Sequence, residues 1–298
     1  MKRFLKRALQ VLGSIAALLV AVLMFFYLRG SSRLGKTYEA ELAALRASVE
    51  PTLPTDAESI AHGKRWVLSH CSGCHGEDLG GKSLVEGEGF GVLAAPNLTP
   101  GKGGRAQRFG PRDWVRALRH GIDSEGHPLA IMPSQHYRFL GDRELLAMVA
   151  YLEQAPPVDR EVPARRLEFL PRVFLGAGVL GDFLPAEAYD HAEKIPPPPV
   201  AAVTTDYGHY LVRTGGCAGC HGADLAGGKV PGPDGPPTPN LTPAGALGKW
   251  NEELFLQMVR TRESEHMPWK HIRQMTEVDL RALWTYLASL PPRVREAK

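Results

Sequence analysis

Cys71-Ser-Gly-Cys74-His75 recurs 146 positions later as Cys217-Ala-Gly-Cys220-His221. Two thiols three positions apart can each add to a vinyl group of one porphyrin as thioethers, and the adjacent histidine is then carried under the ring to bind iron. The spacing is that of covalent haem c attachment, and its two copies predict two covalently bound haem c groups. All 4 cysteines of the chain are used in this way. None remains for a disulfide, a catalytic thiol or a cysteine zinc site. A lone Cys-x-x-Cys could equally be a zinc or thioredoxin-like pair; the histidine after each copy, and the matching sequence around both, weigh against that.

A histidine leaves the opposite axial position of the iron open, and the sixth ligand decides whether the site carries electrons or does chemistry. Met132-Pro133 and Met267-Pro268 stand at equivalent places, each methionine 19 residues before a tyrosine, Tyr151 or Tyr286. A thioether is a soft ligand that favours ferrous iron and raises the reduction potential. A single methionine is more often core filling, but the repeated register assigns both as ligands. The expected metal set is His75 with Met132 and His221 with Met267. His136 and His271, each four residues past the methionine, leave a His/His alternative open; either could instead bond a haem propionate or sit at the surface.

The elements that must hold these residues repeat as well. His75-Gly-Glu-Asp-Leu matches His221-Gly-Ala-Asp-Leu, Pro96-Asn-Leu-Thr-Pro100 matches Pro239-Asn-Leu-Thr-Pro243, Trp114 matches Trp250, and Pro156-Pro157 matches Pro291-Pro292. The longer His-to-Met interval of the first copy falls mostly in a Gly/Arg-rich loop over residues 101 to 110. Thr55-x-x-Glu58 has the form of a capping box before a helix that enters the first attachment sequence, with a counterpart starting near Thr205. Leu145, Met148, Val149 and Leu152 recur at helical spacing, as do Leu280, Leu283, Trp284 and Leu287 behind Thr276-x-x-Asp279. Trp114 with Leu118, and Trp250 with Leu254, mark a short middle helix in each copy. Strand-like alternation is scarce, so the expected fold class is all-α.

Residues 1 to 33 hold Lys2, Arg3, Lys6, Arg7, Arg29 and Arg33 and no acid, so this segment is +6 and the remainder −3 against a formal +3 overall. An acidic folded part argues against nucleic acid as the partner. Residues 8 to 28 are apolar apart from Gln10, Gly13 and Ser14, about the length that crosses a bilayer core. A cleaved signal peptide, the alternative, has a shorter apolar region and a small-x-small site, whereas this one ends in Phe25-Phe26-Tyr27-Leu28-Arg29. With four basic residues before the span and two after it, the N-terminus is expected in the cytoplasm and the haem domains in the periplasm of a bacterial inner membrane, single-pass. That is also the side on which haem c is attached. The resulting division is a membrane anchor helix at 1–30, a tether at 31–56, a first domain at 57–157, a connector at 158–203 that packs along one or both haem units, and a second domain at 204–298.

Taken together, Cys-x-x-Cys-His, Pro-Asn-Leu-Thr-Pro, Trp, Met-Pro and Tyr-Leu resemble the class I cytochrome c family, especially the cytochrome c subunits of membrane-bound bacterial alcohol and gluconate dehydrogenases. The resemblance covers residues 57–157 and 204–292. It implies two tandem class I cytochrome c domains with N- and C-terminal helices crossing near Gly63 and Tyr151, and near Gly208 and Tyr286. A haem histidine needs its other ring nitrogen held by an acceptor; the likeness to the corresponding loop of mitochondrial cytochrome c gives that part to the carbonyls of Pro96 and Pro239. Those subunits usually have three haem units, so their particular dehydrogenase does not carry over. The implied function is single-electron transfer between a membrane or periplasmic donor and a redox protein partner, within a respiratory or dehydrogenase complex, with no small-molecule substrate. A dihaem peroxidase is the alternative and needs one open iron site; a cysteine-ligated thiosulfate enzyme is excluded by the lack of a spare cysteine. A subunit whose main duty is assembly, with residues 169 to 184 as its contact, stays compatible with electron transfer.

Overall fold

The computed structural model describes residues 2–230 and 235–294; the last four residues of the second expected domain lie outside them. One long helix, α1 (Lys2–Leu34), leads the chain. It is the only helix among the described residues long and apolar enough to cross a membrane. After it come α2 (Glu39–Ala47), α3 (Ala57–His70), the short α4 (Ser72–His75), strands β1 (Lys82–Gly87) and β2 (Gly91–Ala95), α5 (Pro111–Val115) continuing into a π-helical turn at Arg116–His120, α6 (Ser134–Tyr137) and α7 (Asp142–Glu153). The middle stretch adds β3 (Arg166–Leu167) and α8 (Phe169–Ala177). The second half repeats the plan with α9 (Thr205–Thr214), α10 (Ala218–His221), β4 (Gly228–Lys229), β5 (Pro237–Thr238), α11 (Glu252–Thr261), α12 (Trp269–Ile272) and α13 (Glu277–Ser289).

The two long helices of each half cross where a glycine removes the side chain between them. A Cβ at Gly63 would lie 1.9 Å from the Ala147 carbonyl oxygen, and one at Gly208 would lie 2.1 Å from that of Ala282. No side chain fits there, so α3 packs on α7 and α9 on α13 at backbone contact. The caps differ in part from expectation. Thr276 and Asp279 form the full capping box of α13, and Thr204 caps α9. For α3 the cap is Asp56, whose side chain accepts from the Ser59 amide at 2.8 Å, because the helix starts one residue later than Thr55-x-x-Glu58 implies.

The all-α expectation needs correction. β1, β2 and β3 form a three-stranded antiparallel sheet, and β4 pairs with β5. These strands gave no alternating signal because β1 is largely exposed while β2 is buried on both faces at Val92, Leu93 and Ala95. The tether and the connector both make contacts with the first half. Tyr38, just before α2, is 5% exposed and packs with Ile122 and Ala186. The connector supplies β3 to the sheet, ties Glu187 to Arg33 through two hydrogen bonds of 2.9 and 2.6 Å, and lays α8 on α1 rather than on either half's haem-attachment segment. The halves themselves share one hydrophobic cluster that runs from Trp66, Leu145 and Met148 to Tyr210, Leu211 and Leu283.

Candidate functional site

In both halves the attachment cysteines sit on a tight helical turn. The His75 amide donates to the Cys71 carbonyl and the His221 amide to the Cys217 carbonyl, each at 2.9 Å. This turn fixes the two sulfurs and the imidazole on one short segment. All four cysteines are free of disulfides. Burial pushes the Cys71 thiol up to about 12 and the Cys217 thiol up to about 11. Thiolate chemistry and zinc binding need the opposite shift; uncharged sulfur suits a thioether.

Each imidazole is held from behind by the proline carbonyl. His75 Nδ1 lies 2.7 Å from the Pro96 oxygen and His221 Nδ1 lies 2.9 Å from the Pro239 oxygen. A carbonyl only accepts, so Nδ1 carries the proton in both rings and Nε2 keeps the lone pair a metal needs. His75 is 7% and His221 5% exposed, and burial holds the His75 pKa below the ordinary histidine value.

The loop that presents each proline is fixed by an asparagine that carries no signal of its own in the sequence. Asn97 is fully buried; its Nδ2 donates to the carbonyls of Val158 and Arg160 at 2.6 and 3.2 Å, and its Oδ1 accepts from the Thr99 amide at 2.8 Å. In the second half Asn240 Nδ2 donates to the Arg293 carbonyl at 2.7 Å, and its Oδ1 accepts from the Thr242 amide at 2.8 Å. The chain leaving each terminal helix is thus stitched to the loop behind each histidine. The repeated Pro-Asn-Leu-Thr-Pro and the repeated Pro-Pro exits, which lie close in space only after folding, are the pattern from which this pairing could be found.

The methionines stand in different surroundings. Met132 is half-buried against the main cluster. Its loop is strapped by the connector: the Ile131 amide donates to the Phe183 carbonyl at 2.8 Å, and the Tyr189 hydroxyl lies 3.0 Å from Ser134 Oγ. Met267 is half-buried in a loop whose preceding residues, Ser264, Glu265 and His266, are exposed, with its amide 3.2 Å from Ser264 Oγ. The alternative ligands His136 and His271 are turned toward the opposite half's attachment segment. A Cβ at Gly216 would lie 2.9 Å from the His136 ring, and one at Gly73 would lie 3.2 Å from the His271 ring, whose Nε2 is 3.4 Å from Glu77 Oε1.

The residues fit a haem in one further respect. Trp114 Nε1 and the Nε and Nη2 of Arg116 are buried donors with no partner. Each such orphan costs roughly 1–3 kcal/mol. The propionates of a haem are acceptors of the kind these donors lack.

Paired Cys-x-x-Cys-His turns, histidines held by backbone carbonyls and helices crossing at glycine define a c-type cytochrome, an electron-transfer protein that takes covalently bound haem c. Residues 58–152 and 204–287 each match the family described as cytochrome c oxidase, cbb3-type, subunit III, and the chain belongs to that family. It is 26% identical over 315 aligned positions to the fructose dehydrogenase cytochrome subunit of Gluconobacter japonicus, covering 91% of this chain and 62% of that protein. It is also 26% identical to the cytochrome c subunit of the quinone alcohol dehydrogenase of Gluconacetobacter polyoxogenes, covering 88% of this chain and 62% of that protein. A dihaem c-type cytochrome of Cereibacter sphaeroides is 28% identical over 58% of this chain and 64% of its own. The chain spans less than two thirds of the length of these relatives.

Proposed function

We propose that the chain is a membrane-anchored dihaem electron carrier, the electron-transfer subunit of a dehydrogenase or other respiratory complex, with its haem-bearing part on the periplasmic side of a bacterial inner membrane. Residues 1–30 anchor it, 57–157 and 204–298 each hold one haem, and 158–203 connect them. Haem iron supplies a one-electron couple when bound. Cys71 with Cys74, and Cys217 with Cys220, fix the macrocycles. His75 and His221 would offer Nε2 to the metal while Pro96 and Pro239 hold the rings, and Met132 and Met267 would supply the second ligands. With both ligands in place the haem would carry electrons and take no small-molecule substrate, and the partner is a redox protein.

The observation that carries this reading is the same histidine-to-proline carbonyl hydrogen bond in both halves, with a methionine 19 residues before the tyrosine of each terminal helix. The anchor is supported by α1, and membership of a complex by the dehydrogenase subunits among the relatives. Spectra of holoprotein with Met132→Ala or Met267→Ala test the reading. Each change should remove one methionine-to-iron charge-transfer band and create one high-spin, carbon monoxide-binding site. Wild-type protein that binds carbon monoxide or consumes peroxide at full occupancy would favour the peroxidase.

A further inference from the structure

Helix α8 has a composition unlike the rest of the connector, and its position explains why. Gly176 and Gly30 face each other: a Cβ at Gly30 would lie 1.9 Å from the Arg172 carbonyl oxygen, and one at Gly176 would lie 1.9 Å from that of Phe26. Arg172 lies beside Gly30 and Gly176 beside Phe26, so the helices run antiparallel, and the C-terminal end of α8 points back toward the apolar stretch of α1. The contact is continued by the Phe169 ring stacked on Tyr27 at 5.1 Å.

The only charge on α8 is turned inward. Arg172 donates to the Leu167 carbonyl at 2.9 Å and to Ser31 Oγ at 3.2 Å, with its guanidinium 5.8 Å from the Tyr27 ring. On the outward side Leu170 is 50% and Phe174 46% exposed, and Val179, just past the helix, is 71% exposed. The Val179 amide bonds the Phe174 carbonyl at 3.0 Å and the Gly178 amide bonds the Leu175 carbonyl at 3.1 Å. This closure holds Val179 at the end of the helix. On α1, Phe25 and Leu28 are likewise exposed, beside the Tyr27 and Arg29 that mark the end of the span.

We propose that α8 is a second membrane contact: Leu170, Phe174 and Val179 enter the outer-leaflet interface of the bilayer through which α1 passes. The inference rests on the reading of α1 as a membrane anchor. An apolar helix face with no outward charge gains by leaving water, and a helix clamped to the end of a span already sits at the headgroup boundary. Because α8 also joins β3, and through it β2, the first haem unit is held against the membrane surface at a fixed height instead of swinging on a tether.

The test uses full-length holoprotein in phosphatidylcholine/phosphatidylglycerol nanodiscs, with nitroxide labels on single cysteines at Phe174→Cys and Val179→Cys. Ala16→Cys reports the anchor and Val200→Cys reports water. Collision with oxygen against a water-soluble nickel reagent gives depth. The expected result is a lipid-like ratio at both α8 sites, at a depth of about 5–10 Å below the headgroups. Nickel access at these sites equal to that at Val200→Cys overturns the inference, and so does shielding from both reagents, which means that protein covers the face. The Ala16→Cys label separately decides the anchor: lipid-like there with aqueous α8 sites sinks only the second contact.

Discussion

At the scale of single residues, the chemistry depends on which histidine nitrogen is free, and a backbone carbonyl settles that in each half. No side-chain substitution removes a carbonyl, but the loop that aims it can be released. Asn97→Ala deletes the donors to the Val158 and Arg160 carbonyls and the acceptor of the buried Thr99 amide, a loss of roughly 1–3 kcal/mol. We expect Asn97→Ala to keep covalent haem yet broaden the ligand-field spectrum of the first haem only, and Asn240→Ala to do the same to the second. Resolved spectra in separate redox windows check this. Cysteines, histidines and methionines were legible in the sequence because their types are rare and their spacing repeats. Asn97 and Asn240 were not, because an asparagine after a proline reads as an ordinary turn until the returning chain is seen against it.

At the scale of elements, the helix crossings and the connector carry the burden. Gly63→Ala or Gly208→Ala forces a methyl into a backbone oxygen, an overpacking that costs about 1–3 kcal/mol or more; a lower thermal midpoint, with haem content reduced most in the mutated half, is the expected readout. The crossings are implied by the resemblance to class I cytochrome c, whereas the sheet was not expected, since β1 and β2 have no two-residue period. The connector's role was hidden because its partners are remote in sequence.

One such partnership is sensitive to pH. His191 Nε2 donates to the Ala186 carbonyl at 2.9 Å, so its Nδ1 is the acceptor for His120 Nδ1–H at 3.1 Å. Burial first, then the neighbouring His191 and arginines, pull the His120 pKa down to about 4, and burial also lowers that of His191. Both rings are therefore neutral in the fold and take protons more readily when it opens. The contribution to stability is fully present above the ordinary value of 6.5 and is lost as pH falls toward about 4. Amide exchange over residues 183–191 should accelerate across that window, and His120→Gln should flatten the dependence; an unchanged profile in the variant would remove the pair from the explanation. Tyr189→Phe, which cuts the contact to Ser134, should weaken closure of the first iron by Met132 and leave the second haem unaltered, read as carbon monoxide binding by the first haem alone.

At the scale of the whole molecule, one apolar cluster joins two copies of the same cytochrome plan, and His136 and His271 each reach across to the other copy's attachment segment. The first copy is also bound by the connector, whereas the residues just before Met267 are exposed. The account stands on two irons each closed by histidine nitrogen and methionine sulfur. Low-temperature electron paramagnetic resonance of the oxidised full-length protein, with haem per chain counted on the same sample, tests that most directly. Two haems per chain with two low-spin ferric signals of histidine/methionine type are expected. A high-spin ferric signal from either centre, a bis-histidine signal, or one haem per chain would contradict it.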